Sequence, residues 1–103
     1  MRPVQPAKVL RIHVSESDRA GGTPLYEAIV AKCRDLKIAG ASVFVGLEGY
    51  GEARLGSRDK PLLITVVDTP ENIDRLIPVV AEMIDTGMMS VSNAQMTRVE
   101  AKA

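Results

Sequence analysis

Apolar residues along the chain switch between a period of two and a period of three to four, and the switches mark out the elements. In "KVLRIHV", Lys8 to Val14, Leu10, Ile12 and Val14 fall on one side and Arg11 and His13 on the other. That alternation predicts a strand with one buried face. "SESDRAGG" reads as loop. "TPLYEAIVAKCRDLKIAG" places Leu25, Ala28, Ile29, Cys33 and Leu36 on one stripe, as an amphipathic helix does. Thr23 is its expected cap, Pro24 its first residue and Gly40 its stop. "ASVFVGL" is a second strand, with Val43, Val45 and Leu47 on one face and Phe44 on the other. "PLLITVVD", Pro61 to Asp68, is apolar on both faces, which suits a central strand covered twice. "TPENIDRLIPVVAEMIDTG" repeats the Thr-Pro start and carries the stripe Ile73, Leu76, Ile77, Val80 and Ile84. Pro78 should kink this second helix and Gly87 should end it. "MMSVSNAQMTRV" is a weaker fourth strand, expected at an edge.

The order is β-α-β-β-α-β, and the two halves match: strand, Thr-Pro start, helix, glycine stop, strand. Two such halves predict an α+β, ferredoxin-like sandwich, an antiparallel sheet with both helices on one face. Strands one and three would be central. The 103 residues make one domain, 1–103, and Pro3 and Pro6 suggest an extended arm over 1–7. Phe44, Leu63 and Val67 would lie on the sheet face that the helices leave open. An apolar patch of that kind usually marks an interface, so an oligomer is expected.

The connection between the second and third strands, residues 48–61, is longer than a hairpin requires. The stretch "GLEGYGEARLGSRDKP" holds four glycines, two arginines, one lysine and three acids. Two or three residues would turn the chain. Long glycine-rich charged connections more often bind something. Glycines allow backbone conformations that present successive amides to an anion. Arg54 and Arg58 can pair with phosphate oxygens in a bidentate manner, and Lys60 adds a point charge. Without further context, a solvated charged hairpin is an equally good reading.

Charge and composition narrow the function. Thirteen basic and thirteen acidic residues cancel, which argues against a general nucleic-acid binder. Tyr26, Phe44 and Tyr50 are the only aromatics, too few for a stacking platform. The single cysteine, Cys33, rules out an intrachain disulfide and sits on the first helix's apolar stripe. No apolar run reaches membrane-spanning length and the start has no secretory pattern, so a reducing, cytoplasmic setting is expected. His13 is the only histidine, with no second ligand at metal spacing, so no metal site is expected and a surface or intersubunit contact is the better reading. Ser15, Glu16, Ser17 and Asp18 form no recognisable nucleophile–base pair, and no catalytic residue is expected.

The stretches "GTPLYEAIV", "KIAGASVFVGLEGYG" and "VDTPENIDRLIPVVAEMI" resemble the DUF190 family of PII-like proteins, and the similarity runs from about Lys8 to Val99. The resemblance implies a PII-like subunit in a homotrimer, with adenine nucleotides in the clefts between subunits. It also implies signalling to a transporter or enzyme target through the connection, which PII proteins call the T-loop. Gly49, Tyr50 and Gly51 stand where PII proteins carry a Gly-aromatic-Gly at the base of that loop. Gly87 matches a glycine of the second phosphate element, but Met88 stands where PII proteins place a phosphate-binding lysine. ADP or AMP is therefore expected in preference to ATP. The C-terminal tail would supply Arg98 and Lys102. The loop is short and lacks the usual tyrosine at its tip, so control by uridylylation is not expected. Some proteins of this type are linked to bicarbonate transport and carboxysomes, which makes bicarbonate a candidate co-ligand. The competing readings are a CutA-like structural or metal-tolerance trimer and a small enzyme working in the same clefts.

Overall fold

A computed structural model describes residues 3–50 and 59–101. The elements in chain order are β1 (Gln5–Ser15), β2 (Arg19–Ala20), β3 (Thr23–Pro24), α1 (Leu25–Asp35), β4 (Ala41–Val45), β5 (Pro61–Asp68), α2 (Pro70–Met83) and β6 (Met88–Met96). The main sheet has the order β4-β5-β1-β6 and all of its pairs are antiparallel. β5 and β1 are central, as the two-sided apolar character of β5 requires. β6 takes an edge. β2 and β3 make a separate two-stranded ribbon.

The core lies between the sheet and the helices. Leu10, Ile12 and Val14 of β1 and Leu62, Ile64 and Val66 of β5 are buried, all on one face of the pleat. They meet Leu25, Ile29 and Cys33 of α1 and Ile73, Leu76 and Val80 of α2. The helical stripes fall where the periodicity puts them, with Leu36, Ile77 and Ile84 half-buried at their margins. At about 25 cal/mol per Å² of apolar surface, this burial is the main source of stability.

Several boundaries differ from expectation, each for a local reason. β1 starts at Gln5, so residues 5–7 of the expected arm are part of the sheet: Gln5, Pro6 and Ala7 pair with Met96, Gln95 and Ala94 of β6. Thr23 does not cap α1. Thr23 and Pro24 pair with Ala20 and Arg19 in the small ribbon, which puts Pro24 at the cap, and the Leu25 amide donates instead to the Asp18 carbonyl at 2.8 Å. Gly40 does not stop α1 either. Lys37 adopts φ 60°, with Lys37 N–H donating to the Arg34 carbonyl and Ile38 N–H to the Cys33 carbonyl. That is a Schellman ending, and its usual apolar contact is made by Ile38 and Cys33, both buried. β4 ends at Val45, which leaves Leu47 beyond the strand and almost fully exposed. α2 behaves as expected at its start: Thr69 Oγ1 accepts from the Asn72 amide at 3.2 Å and Pro70 is the first helical residue. Its last helical residue is Met83, four residues before Gly87, and it runs through Pro78, which is exposed.

Candidate functional site

The antiparallel order gathers one set of chain segments at one end of the sheet. Ser15, at the end of β1, pairs with Pro61, at the start of β5; nearby, His13 pairs with Met88, at the start of β6, and Val45, the last residue of β4, pairs with Leu62. The β1–β2 loop, the two ends of the long connection and the α2–β6 turn therefore meet there. Among the described residues, this end carries five of the expected binding residues: Gly49, Tyr50, Lys60, Gly87 and Met88. Gly51, Arg54, Arg58 and Lys102 lie outside the described residues.

Both ends of the connection are tied down. At the entry, the Gly46 amide donates to the Pro61 carbonyl at 2.7 Å. A Cβ on Gly46 would stand 2.7 Å from Pro61 Cγ, and one on Gly49 would stand 3.3 Å from the same atom. The glycines thus let the chain pass over the proline ring. At the exit, the Glu16 amide donates to the Lys60 carbonyl at 2.9 Å. Asp59 accepts from Ser17 twice, from the amide at 3.0 Å and from the hydroxyl. Burial pushes the Asp59 carboxyl up, but hydrogen bonds from the Ser17 side chain and amide outweigh it and hold the group below the ordinary carboxylate value. The segment Ser15–Asp18 is therefore the strap that fixes the connection's exit. Its own form is set by the Ser15 amide donating to the Asp18 carboxylate at 2.9 Å. With both ends held, Tyr50 and Lys60 project into solvent; Tyr50 is 99% exposed.

Gly87 sits in a notch against β1. A Cβ there would lie 2.8 Å from the His13 carbonyl oxygen and 3.0 Å from Ile84 Cγ2. The absence of a side chain lets the α2–β6 turn close on the central strand. A cavity of about 180 Å³ lies beside it, lined by Ala81, Ile84, Asp85, Gly87, Met88 and Met89. Met88 is half exposed at its rim and Met89 is packed against the core.

Arg98 does not join this end. It follows β6 at the opposite end of the sheet, where its guanidinium lies 3.8 Å from Asp68. Asp68 is 1% exposed and closes β5. It accepts from the Ala39 amide at 2.8 Å, the Thr69 amide at 2.7 Å and the Asn72 side chain at 3.1 Å. Burial disfavours its charge, but these donors and Arg98 together keep the carboxyl below its ordinary value. Sequence reading missed Asp68, although the signal was there: it continues the inward parity of Leu62, Ile64 and Val66. The Ser17–Asp59 pair had no such signal, because its members are 42 residues apart.

The described residues at the loop end carry Glu16, Asp18, Glu48, Asp59 and Asp85 against Lys60 and Arg19. No group of three His, Cys, Asp or Glu among the described residues is placed to hold a metal ion, and no described helix is long and apolar enough to cross a membrane. Cys33 is buried and its thiol is pushed up by that burial.

The profile of the DUF190 family, the uncharacterized ACR group, matches residues 7–96. The chain belongs to the DUF190 family. A UPF0166 protein of Methanocaldococcus jannaschii is 30% identical over 102 residues, covering 91% of this chain and 94% of that protein. Among solved structures, CPII of Thiomonas intermedia, bound to ADP, AMP and acetate, superposes with a TM-score of 0.68 at 18% identity, covering 93% of each chain. CPII bound to ADP, AMP and bicarbonate, described as a nitrogen regulatory PII-like protein, gives a TM-score of 0.66 at 16% identity, covering 91% of this chain and 98% of that one. At such identities the likeness establishes the fold of this DUF190 chain: it is PII-like, a ferredoxin-like α+β sandwich.

Proposed function

We propose that this DUF190 protein is a PII-like regulator that binds adenine nucleotide without turning it over. It takes ADP or AMP in preference to ATP, in clefts between the subunits of a homotrimer, and signals to a transporter or enzyme through the connection between β4 and β5. The observation that carries the reading is the convergence of the glycine-lined entry, the strapped exit and the Gly87 notch at one end of a PII-like sheet. Structures of that fold hold ADP and AMP in CPII. Nucleotide phosphate would meet backbone amides around Gly49–Gly51 and Gly87, and the cations Arg54, Arg58 and Lys60. Met88 brings no charge to the notch, which favours nucleotides with fewer phosphates.

In a site shared between copies, Arg98, which lies at the opposite end of its own sheet, would add charge to the site of the next subunit. Bicarbonate, present beside ADP and AMP in a CPII structure, is the candidate co-ligand. Calorimetric titration with AMP, ADP and ATP, with and without bicarbonate, tests the reading. Saturable binding of ADP and AMP, weaker binding of ATP and recovery of intact nucleotide are expected. Arg54→Ala or Arg58→Ala should each weaken ADP roughly tenfold or more, the usual worth of a charge-assisted hydrogen bond. Failure of all three nucleotides to bind would overturn it.

A further inference from the structure

The sheet face that the helices leave open carries a cation and no carboxylate. Phe44, Leu63, Val67 and Val9 make its apolar part. Around Arg11 the outward positions are polar instead: Ser90 of β6 and Thr65 of β5 stand directly across from it, and Ser92 is diagonal. No Asp or Glu takes an outward position on any of the four strands. The other charged groups of β1 and β5 lie on the inward parity and are paired there: Lys8 with Asp74 at 2.7 Å, and Asp68 with its three donors. Arg11 differs. Among the described residues its guanidinium donates only to Ser92 Oγ, a neutral partner, at 3.1 Å. That leaves most of its five N–H donors without a protein acceptor. Its serine and threonine neighbours are small, so they leave room above the sheet, and their hydroxyls can donate as well as accept.

We propose that Arg11 is the centre of a small-oxyanion site on the open sheet face. The guanidinium fork pairs with oxygens of the anion, the hydroxyls of Ser90 and Thr65 donate to the others, and the bound anion supplies the charge that lets copies of the chain meet on this face. The last clause rests on the proposed trimer. The site itself does not, and it uses no residue of the proposed nucleotide site. The physical reason is desolvation. A guanidinium open to water needs no counter-ion, but one covered by another protein surface does, because an unpaired charge taken out of water is costly. Arg11 is already half-buried within one chain. The face that would cover it in a second copy is the same face, with the same cation and no carboxylate to offer. An anion from solution removes that conflict, while the apolar part of the face supplies the contact area.

Inorganic phosphate is the probe, exchanged for chloride at constant ionic strength, with backbone amide shifts of the full chain read by NMR and assembly read by light scattering on dilution. Expected is a saturable shift of the Arg11, Thr65, Ser90 and Ser92 amides. It should vanish in Arg11→Gln and weaken in Arg11→Lys, which keeps the charge but loses the fork. At phosphate about ten times its own dissociation constant, the dissociation constant of the assembly should fall about tenfold for each anion bound between copies. Arg11→Gln in chloride should assemble at least as tightly as wild type, with no further gain from phosphate, because the uncompensated charge is gone. Shifts confined to the Gly49, Lys60 and Gly87 amides would put phosphate at the loop end and overturn the proposal, as would equal behaviour in phosphate and chloride. Weaker assembly of Arg11→Gln in chloride would mean that a carboxylate of a neighbouring copy meets Arg11, and would overturn it too. If wild type is monomeric at every concentration, the proposed trimer falls, and the shift map alone decides the anion site.

Discussion

Gly87 shows how packing alone can fix one residue. The chemistry of phosphate binding favours a glycine in such a turn, but the packing demands it: an added methyl would run into the His13 carbonyl oxygen at 2.8 Å, and backbone cannot move aside as a side chain can. Gly87→Ala should destabilise the protein by about 1–3 kcal/mol, the usual cost of overpacking, seen as a lower urea midpoint. Gly40→Ala is the contrast, since no atom lies within 4 Å of the Cβ it would add. Its midpoint should stay level or rise. Met88, next along the chain, brings no charge to this turn, which under the proposed function favours nucleotides with fewer phosphates.

At the scale of elements, Asp68 stitches the end of α1, the end of β5 and the start of α2. Ala39 follows α1, Thr69 and Asn72 open α2, and Arg75 adds a second tie by donating to the Leu36 carbonyl at 2.7 Å. A carboxyl whose folded pKa is depressed stabilises the fold fully above its unfolded pKa of about 3.9. That contribution is lost as pH falls through the lower folded value. Stability should therefore be flat from pH 7 to about 5 and fall below about pH 4, with Asp59 contributing in the same sense. In Asp68→Asn, guanidinium unfolding should show a shallower acid slope on a lower plateau. This is also where legibility from sequence ends. The eight-residue β5, the Thr69–Pro70 start of α2 and the helical stripes follow from periodicity and local chemistry, and the structure bears them out. The start and stop of α1 do not. Thr23 was drawn into the β2–β3 ribbon, a pairing no local pattern announces, and Lys37 took the left-handed position that glycine normally fills. The candidate site divides likewise: glycines and cations were visible as types, while the Ser17–Asp59 strap and the docking of Arg98 arise only from tertiary proximity.

The molecule as a whole presents two unlike surfaces. One side of the sheet is covered by both helices. On the other, Phe44 is 56% exposed opposite Leu63, with Val67 and Val9 along the same face. If that face is where copies meet, as the proposed trimer requires, light scattering should give three times the 11.1 kDa chain mass. Phe44→Glu should reduce it toward one chain without loss of the circular dichroism of the fold. A monomeric wild type would remove the shared cleft on which the proposed nucleotide binding depends.

The pairing of Gln5 with Met96 has a further consequence, for how the protein is made. The first strand of the main sheet is central, yet its two neighbours are the third and the last strands of that sheet. β1 must wait, with its apolar row uncovered, until β5 emerges, and one edge stays open until synthesis has passed Met96. Closing such distant pairs is entropically slow. The nascent chain therefore carries β1 as an unpaired, aggregation-prone strand until β5 has been made, and shortening the chain before β6 would leave that strand unpaired on one side.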